Sequence, residues 1–170
     1  GAPFLYYGEE IGLQNGPGSG DEHKRTPMPW DATAGGGFTT GRPWYGFAPG
    51  QETANVAAQT RDSDSLLSWY RRLIRARKSS EALQKGTLKL LSPSDRDTAV
   101  LTFLRETAGE RVLVVHNLGS EEGEVGPYEF GAGDLDAILV AGPATTRRTA
   151  QGWTVSLAAG ATGIWRVKKN

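Results

Sequence analysis

The sequence contains no cysteine, a single methionine, two histidines and no excess of either charge, since 19 Lys and Arg balance 19 Asp and Glu. Without cysteine there are no disulfides and no thiolate metal ligands, a fact that leaves the compartment open. His23 and His116 lie in different regions without ligand spacing, so no metal site and no cofactor is expected. Zero net charge argues against a nucleic-acid partner held by a basic surface. No apolar run approaches the ~20 residues of a membrane span and no signal peptide is recognisable, so no membrane partner is expected either. What is abundant is glycine, 23 in 170 residues, which points to loops and turns. The 38% hydrophobic share still allows a globular core. The length has room for one medium domain, or a small domain plus a piece of another.

The opening stretch organises the reading. Ala2 to Tyr7 is an unbroken apolar and aromatic run, ended by Gly8-Glu9-Glu10. Such a run, with no alternation, suits a strand buried on both faces, as in a parallel sheet. Pro3 is tolerable near its start. The chain opens on Gly1 and its only methionine is Met28, so it reads as cut from something larger. A Gly, Asn and Pro loop over 14–20 leads to the charge cluster Asp21-Glu22-His23-Lys24-Arg25. Thr26-Pro27-Met28-Pro29-Trp30-Asp31 follows, where two prolines forbid regular helix and predict an extended, packed loop. From 11 to about 61 no element is evident, and loops that long in a compact domain are usually functional or depend on a neighbouring surface.

Residues 62–78 read as a helix with Asp62 as N-cap. Leu66, Leu67, Tyr70, Leu73 and Ile74 make one apolar face, and Arg71, Arg72, Arg75, Arg77 and Lys78 load the C-terminal half, which favours the macrodipole. Such a basic cluster could contact phosphate, but on an amphipathic helix it is read as a solvated face. From about 86 the period changes to strands: 87–91, 98–105, 111–117, 123–130, 136–140, 152–157 and 163–168. Short strands with regular turns predict an antiparallel sandwich. Trp153, Val155 and Leu157 alternate, as do Ile164 and Arg166 against Trp165 and Val167, which predicts one buried face. The domain boundary is therefore expected near Leu83–Gly86, giving 1–85 and 86–170.

At this point the motifs resemble a known family. Gly1, Pro3, Tyr6-Tyr7-Gly8 and Glu10 are similar to the last barrel strand of the α-amylase superfamily, glycoside hydrolase family 13. Arg25-Thr26-Pro27-Met28, then Trp30-Asp31, resembles the loop after that strand in the α-glucosidase, oligo-glucosidase and bacterial amylase branches. Gly37-Phe38, Pro43-Trp44, Asn55-Val56, Gln59 and the Ser65–Arg77 helix continue in the family's order. Pro29 departs from it, standing where many relatives carry glutamine. The resemblance implies an α+β fragment: the last βα unit of a (β/α)8 TIM barrel over 1–85, then an antiparallel β-sandwich C-terminal domain over 86–170. It implies an α-glucan or malto-oligosaccharide substrate in a parent enzyme, cleaved with retention. Retaining glycoside hydrolysis needs two carboxylates about 5–5.5 Å apart. The family's nucleophile, acid/base and third aspartate belong to earlier strands, and none of those motifs is present here. No catalytic residue is assigned, and the chain alone is expected to be inactive.

Three residues are carried as substrate-binding candidates. Arg25 is the first, because catalytic-face loops follow the C-terminal ends of barrel strands. Its fork of donors suits sugar hydroxyls, or a carboxylate that itself holds one. The resemblance implies that it helps frame the non-reducing end of the substrate. The competing reading is a salt bridge to Asp21, Glu22 or Asp31 that pins the loop. His23 lies in the same charged loop and either lines the cleft or is solvated. Glu10 resembles the family's glutamate at the strand end, which implies hydrogen bonding within the barrel's top, with direct sugar contact the alternative. Glu9 and Glu10 are not read as a catalytic pair, because adjacent strand residues point to opposite faces. Trp30 and Trp44 offer sugar-stacking faces or anchor their loops. His116 is expected to end a buried strand.

Two other readings compete: a carbohydrate-binding module built on the β-domain, and a non-enzymatic relative such as the ectodomain of an amino-acid-transporter heavy chain. The first would need exposed coplanar aromatics, the second an upstream membrane span. An apolar strand without barrel neighbours exposes edges and faces. The rest of the barrel or another chain is therefore expected to cover 2–7, with self-association otherwise.

Overall fold

A computed structural model of the chain describes residues 2–91, 99–131 and 133–168. Gly1 of the opening motif and Thr98 of the 98–105 strand lie outside them. The chain divides into two compact units, Ala2–Ile74 and Arg75–Asn170.

The first unit is mostly loop. Ala2–Tyr7, expected as a strand, forms no ladder here: the run is irregular and then turns. A strand exists only through bonds to a neighbour, and no described residue pairs with this one. Phe4 is 96% exposed, and Leu5, Tyr6 and Tyr7 are exposed too. Gly8 then adopts φ 87°, and a Cβ there would lie 2.6 Å from Leu13, so only glycine fits. The turn leads into a 3-10 turn, Glu9–Ile11, that buries Ile11. The two acids thus lie on a tight turn and not on strand faces.

Between 11 and 61, where no element was expected, there are a second 3-10 turn, Glu22–Lys24, and a helix α1, Val56–Arg61. The α1 signal is Asn55, whose side-chain Oδ1 accepts from the Ala58 amide at 2.8 Å while its Nδ2 donates to the Gln51 and Glu52 carbonyls. Helix α2 runs Leu66–Lys78, shorter than the expected 62–78. Asp62 is not its N-cap. Asp62 closes α1 in an extended conformation, and its carboxylate accepts from the Asp64 amide at 2.8 Å. The first amides of α2 are met instead by Gln59 Oε1, accepting from Leu67 at 3.0 Å, and by Ser65 Oγ, accepting from Ser68 at 3.2 Å.

The second unit begins in α2 and contains a short helix α3, Glu81–Lys85, then, among the described residues, eight strands. These are β1 Thr87–Leu91, β2 Val100–Glu106, β3 Arg111–Asn117, β4 Gly123–Tyr128, β5 Leu135–Ala141, β6 Ala144–Thr149, β7 Gly152–Leu157 and β8 Thr162–Val167. All pairings are antiparallel. One sheet has the order β1-β2-β3-β8-β5 and the other β4-β7-β6. A shared core takes Val100, Leu104, Leu113, Val115, Trp165 and Val167 from the first sheet and Val125, Val155 and Leu157 from the second. Gly163 is required there because a Cβ would collide with the Trp165 ring.

Strand β6 was not expected. Its Thr-Thr-Arg-Arg-Thr core has no apolar alternation, and it is held by six register pairs to β7 at a sheet edge. The expectation of one buried face also fails for β8. Trp165 and Val167 enter the shared core, but Ile164 is buried on the other side with Val112, Val114, Ala82 and Leu83. The cause is α3, which supplies Ala82 and Leu83 to cover that face.

Glu110 fastens α3. Its carboxylate accepts from Ser80 Oγ at 2.8 Å, the Ala82 amide at 2.9 Å and Arg166 Nε at 2.7 Å. Burial pushes this carboxyl up, but the Ala82 amide, Arg166 and Ser80 outweigh it and hold it below its usual range.

Candidate functional site

The Arg25–Asp31 segment is an extended loop, as its prolines predict. Thr26, Pro27 and Pro29 are buried, while Arg25 and Trp30 are exposed. Carbonyls fix the loop's far end: Pro29 O accepts from the Val56 amide at 3.1 Å and Trp30 O from Ala57 at 2.9 Å. These are first-turn amides of α1 that no intrahelical carbonyl reaches. The loop and the helix therefore satisfy each other. Gln59 adds a second tie, with Nε2 donating to Ile11 O at 2.8 Å while Oε1 serves Leu67.

Arg25 ends the Glu22–Lys24 turn, its amide donating to Glu22 O at 2.9 Å. Of the three acids weighed as partners, Asp21 is the one found, at 3.7 Å, with side chains 62% and 69% exposed. Such a pair is worth about 0–1 kcal/mol, so the guanidinium is not locked by it. Lys24 shares the same carboxylate at 3.4 Å. On the other side of the loop, Tyr7 Oη donates to Thr26 O at 2.9 Å. Burial raises the Tyr7 phenol above its usual range, Tyr6 beside it adds to this, and the charge of Arg25 pulls the other way.

His23 and Glu10 have different surroundings. The His23 imidazole is half-buried, with Nδ1 shut from solvent and lacking a hydrogen-bond partner. Its carbonyl accepts from Gly16 N at 2.7 Å. Glu10 lines a hollow of about 300 Å³ with Leu5, Tyr6, Tyr7, Leu67, Tyr70, Arg71 and Ile74. Glu9 Oε2 instead accepts from the Tyr6 amide at 3.2 Å, closing the turn on itself. Asp31 accepts from the Thr33 hydroxyl at 2.6 Å and its amide at 2.9 Å, and Thr33 holds its carboxyl below the usual range. A carboxyl held low is a poor general acid at neutral pH.

Of the tryptophans read as stackers or anchors, Trp30 is 51% and Trp44 60% exposed. Trp44 leans on Tyr45, whose hydroxyl donates to Pro17 O. His116 lies near the end of β3, half-buried, with Nδ1 2.9 Å from Thr162 Oγ1; burial lowers its pKa. Among the described residues no cluster of three His, Cys, Asp or Glu could hold a metal. Sequence reasoning gave Tyr7, Asn55 and Gln59 no role beyond family landmarks, because their partners lie too far along the chain to be read from spacing.

Comparison with known proteins fixes the class. The family model described as "Alpha amylase, catalytic domain" matches residues 1–86. The chain belongs to the α-amylase family, glycoside hydrolase family 13. It is 31% identical over 157 residues to "Probable oligo-1,6-glucosidase 2" of Bacillus subtilis (strain 168), covering 72% of this chain and 28% of that protein. It is 30% identical over 156 residues to "Glucan 1,6-alpha-glucosidase" of Streptococcus pneumoniae serotype 4, covering 72% and 29%. The crystal structure of the trehalulose synthase MutB from Pseudomonas mesoacidophila MX-45 superposes with a TM-score of 0.77 at 26% identity, covering 99% of this chain and 36% of that one. The chain thus spans less than a third of the length of the curated relatives it matches.

Proposed function

We propose that this chain is the C-terminal part of a retaining α-glucan-acting glycoside hydrolase of α-glucosidase type, inactive alone. In this reading 1–85 completes the catalytic barrel with its last strand, cleft loop and last helix, and 86–170 is a stabilising β-sandwich. The observation that carries it is the match of the catalytic-domain model to 1–86 in a chain whose first unit leaves its apolar run uncovered. Ala2–Tyr7 and the exposed Leu66, Leu73 and Ile74 of α2 are then surfaces made for barrel neighbours. The relatives' names point to an α-glucosidic oligosaccharide as substrate.

Arg25 frames the sugar at the cleavage subsite through its guanidinium fork, free of a strong ion pair of its own. His23 lines the same loop, and Glu10 braces the strand end from inside the barrel's top. The bond-breaking carboxylates come from preceding strands. The test is direct. The purified chain releases no reducing sugar from starch, maltose or a nitrophenyl α-glucoside. Turnover that a single carboxylate substitution within 1–170 abolishes would refute the proposal.

A further inference from the structure

We infer that Tyr7 is the positioning residue of the Arg25 loop: its hydroxyl fixes the Thr26 carbonyl and so sets where the Arg25 guanidinium stands. The inference rests on the reading of Arg25 as a sugar contact and adds the group that holds it there. Arg25 cannot place itself. Its ion pair with Asp21 is long and solvated, and Asp21 is shared with Lys24. A long side chain without a strong terminal partner keeps its rotamer freedom, so its backbone sets the origin from which the guanidinium reaches. At Arg25 and Thr26 that backbone is held by the Arg25 amide on Glu22 O and the Thr26 carbonyl on Tyr7 Oη, while Gly16 N on His23 O holds the turn before them. Glu22 belongs to the same small turn and moves with it. Tyr7 does not, standing 19 residues away on the opening run.

Thr26 is only 2% exposed, so its carbonyl has little access to water as a substitute donor. Losing this part-buried bond leaves the Thr26 carbonyl short of a donor, and the segment shifts to find another. The phenol also senses the Arg25 charge, which opposes the upward push of burial and of Tyr6. Side chain and carbonyl thus lie within electrostatic reach of one tyrosine. Shifting a positioned group by about 1 Å is enough to cost roughly a hundredfold in the worst cases.

Two measurements test it. In the full-length enzyme, where the opening run has its neighbours, NMR relaxation of the Arg25 Nε–H reports its order. Tyr7→Phe, which keeps the ring, is expected to loosen Arg25, and the control Tyr45→Phe is not. In the full-length enzyme that carries this segment, KM and kcat on maltose and isomaltose are measured for Tyr7→Phe, Arg25→Ala and the pair. Arg25→Ala is expected to raise KM roughly tenfold or more and Tyr7→Phe about two- to tenfold. The pair should match Arg25→Ala alone, because Tyr7 acts through Arg25. Unchanged Arg25 order in Tyr7→Phe, or a Tyr7→Phe effect that persists in full beside Arg25→Ala, overturns the inference while leaving the sugar contact standing. An Arg25→Ala enzyme with wild-type KM and kcat sinks the sugar contact itself, and with it any part for Tyr7 in catalysis, whatever the relaxation shows.

Discussion

The two units of this chain use apolar residues in opposite ways. In Arg75–Asn170, Leu113, Val115, Val155 and Leu157 are wholly buried between two sheets, and α3 covers a second face. In Ala2–Ile74, Phe4, Leu5, Tyr6, Leu73 and Ile74 stand exposed, and the ties that hold the unit are polar: Asn55, Gln59, Ser65 and Tyr7 reaching backbone groups. A unit organised by side chains that bond backbone, with apolar surface turned outward, is what the proposed barrel reading expects. The β-unit closes a core of its own, although Leu88, Leu90 and Leu118 stay exposed on it.

The sharpest way to break that contrast is to cut into each unit. Trp165→Ala removes a large buried ring from the shared core and should cost about 3–5 kcal/mol in denaturant unfolding of the β-unit. Leu73→Ala, on the exposed side of α2, should cost no more than about 0.5 kcal/mol in the same chain. Equal losses would erase the distinction. Next in size is Glu110→Ala, which strands the Ala82 amide, Ser80 and Arg166 and should cost about 1–3 kcal/mol.

The pH dependence of Glu110 follows from the sign of its shift. A carboxyl held below its usual range contributes stability at neutral pH that is lost as pH falls through its lowered value. The wild-type β-unit should therefore weaken below about pH 4, and Glu110→Gln should flatten that part of the unfolding profile. Asn55→Ala is smaller, about 1 kcal/mol, and should show as faster amide exchange of Ala58 in α1. The smallest effect is Arg25→Ala on the chain's own stability, under about 0.5 kcal/mol by thermal unfolding, because its ion pair is solvated.

The same contrast decides what could be read from sequence. The β-unit was largely legible because burial writes itself as alternation: Trp153, Val155 and Leu157 are buried as their spacing predicts. Its failures are where packing comes from elsewhere or is missing. Ile164 is buried in a cluster that α3 helps to close on that side, and the polar β6 is held by the edge that β7 offers. The first unit was legible mainly by resemblance. Asp62 had the right chemistry for an N-cap, but Gln59 and Ser65 had already met those amides. The apolar run reads as a strand, and its sequence carries no trace of whether a neighbour is at hand. Arg25 and Asp21 could be paired from their spacing, whereas Tyr7 and Thr26 lie 19 residues apart with nothing periodic to link them.

In the function proposed here, Ala2–Tyr7 is a barrel strand that waits for its neighbours. Amide hydrogen exchange over Phe4–Tyr7 measures this most directly, in the chain alone as a dilute monomer and in the full-length enzyme. Free exchange in the first and strong protection in the second is the predicted result. Strong protection in the lone monomer would mean that the run already has its partners, and the account would be wrong.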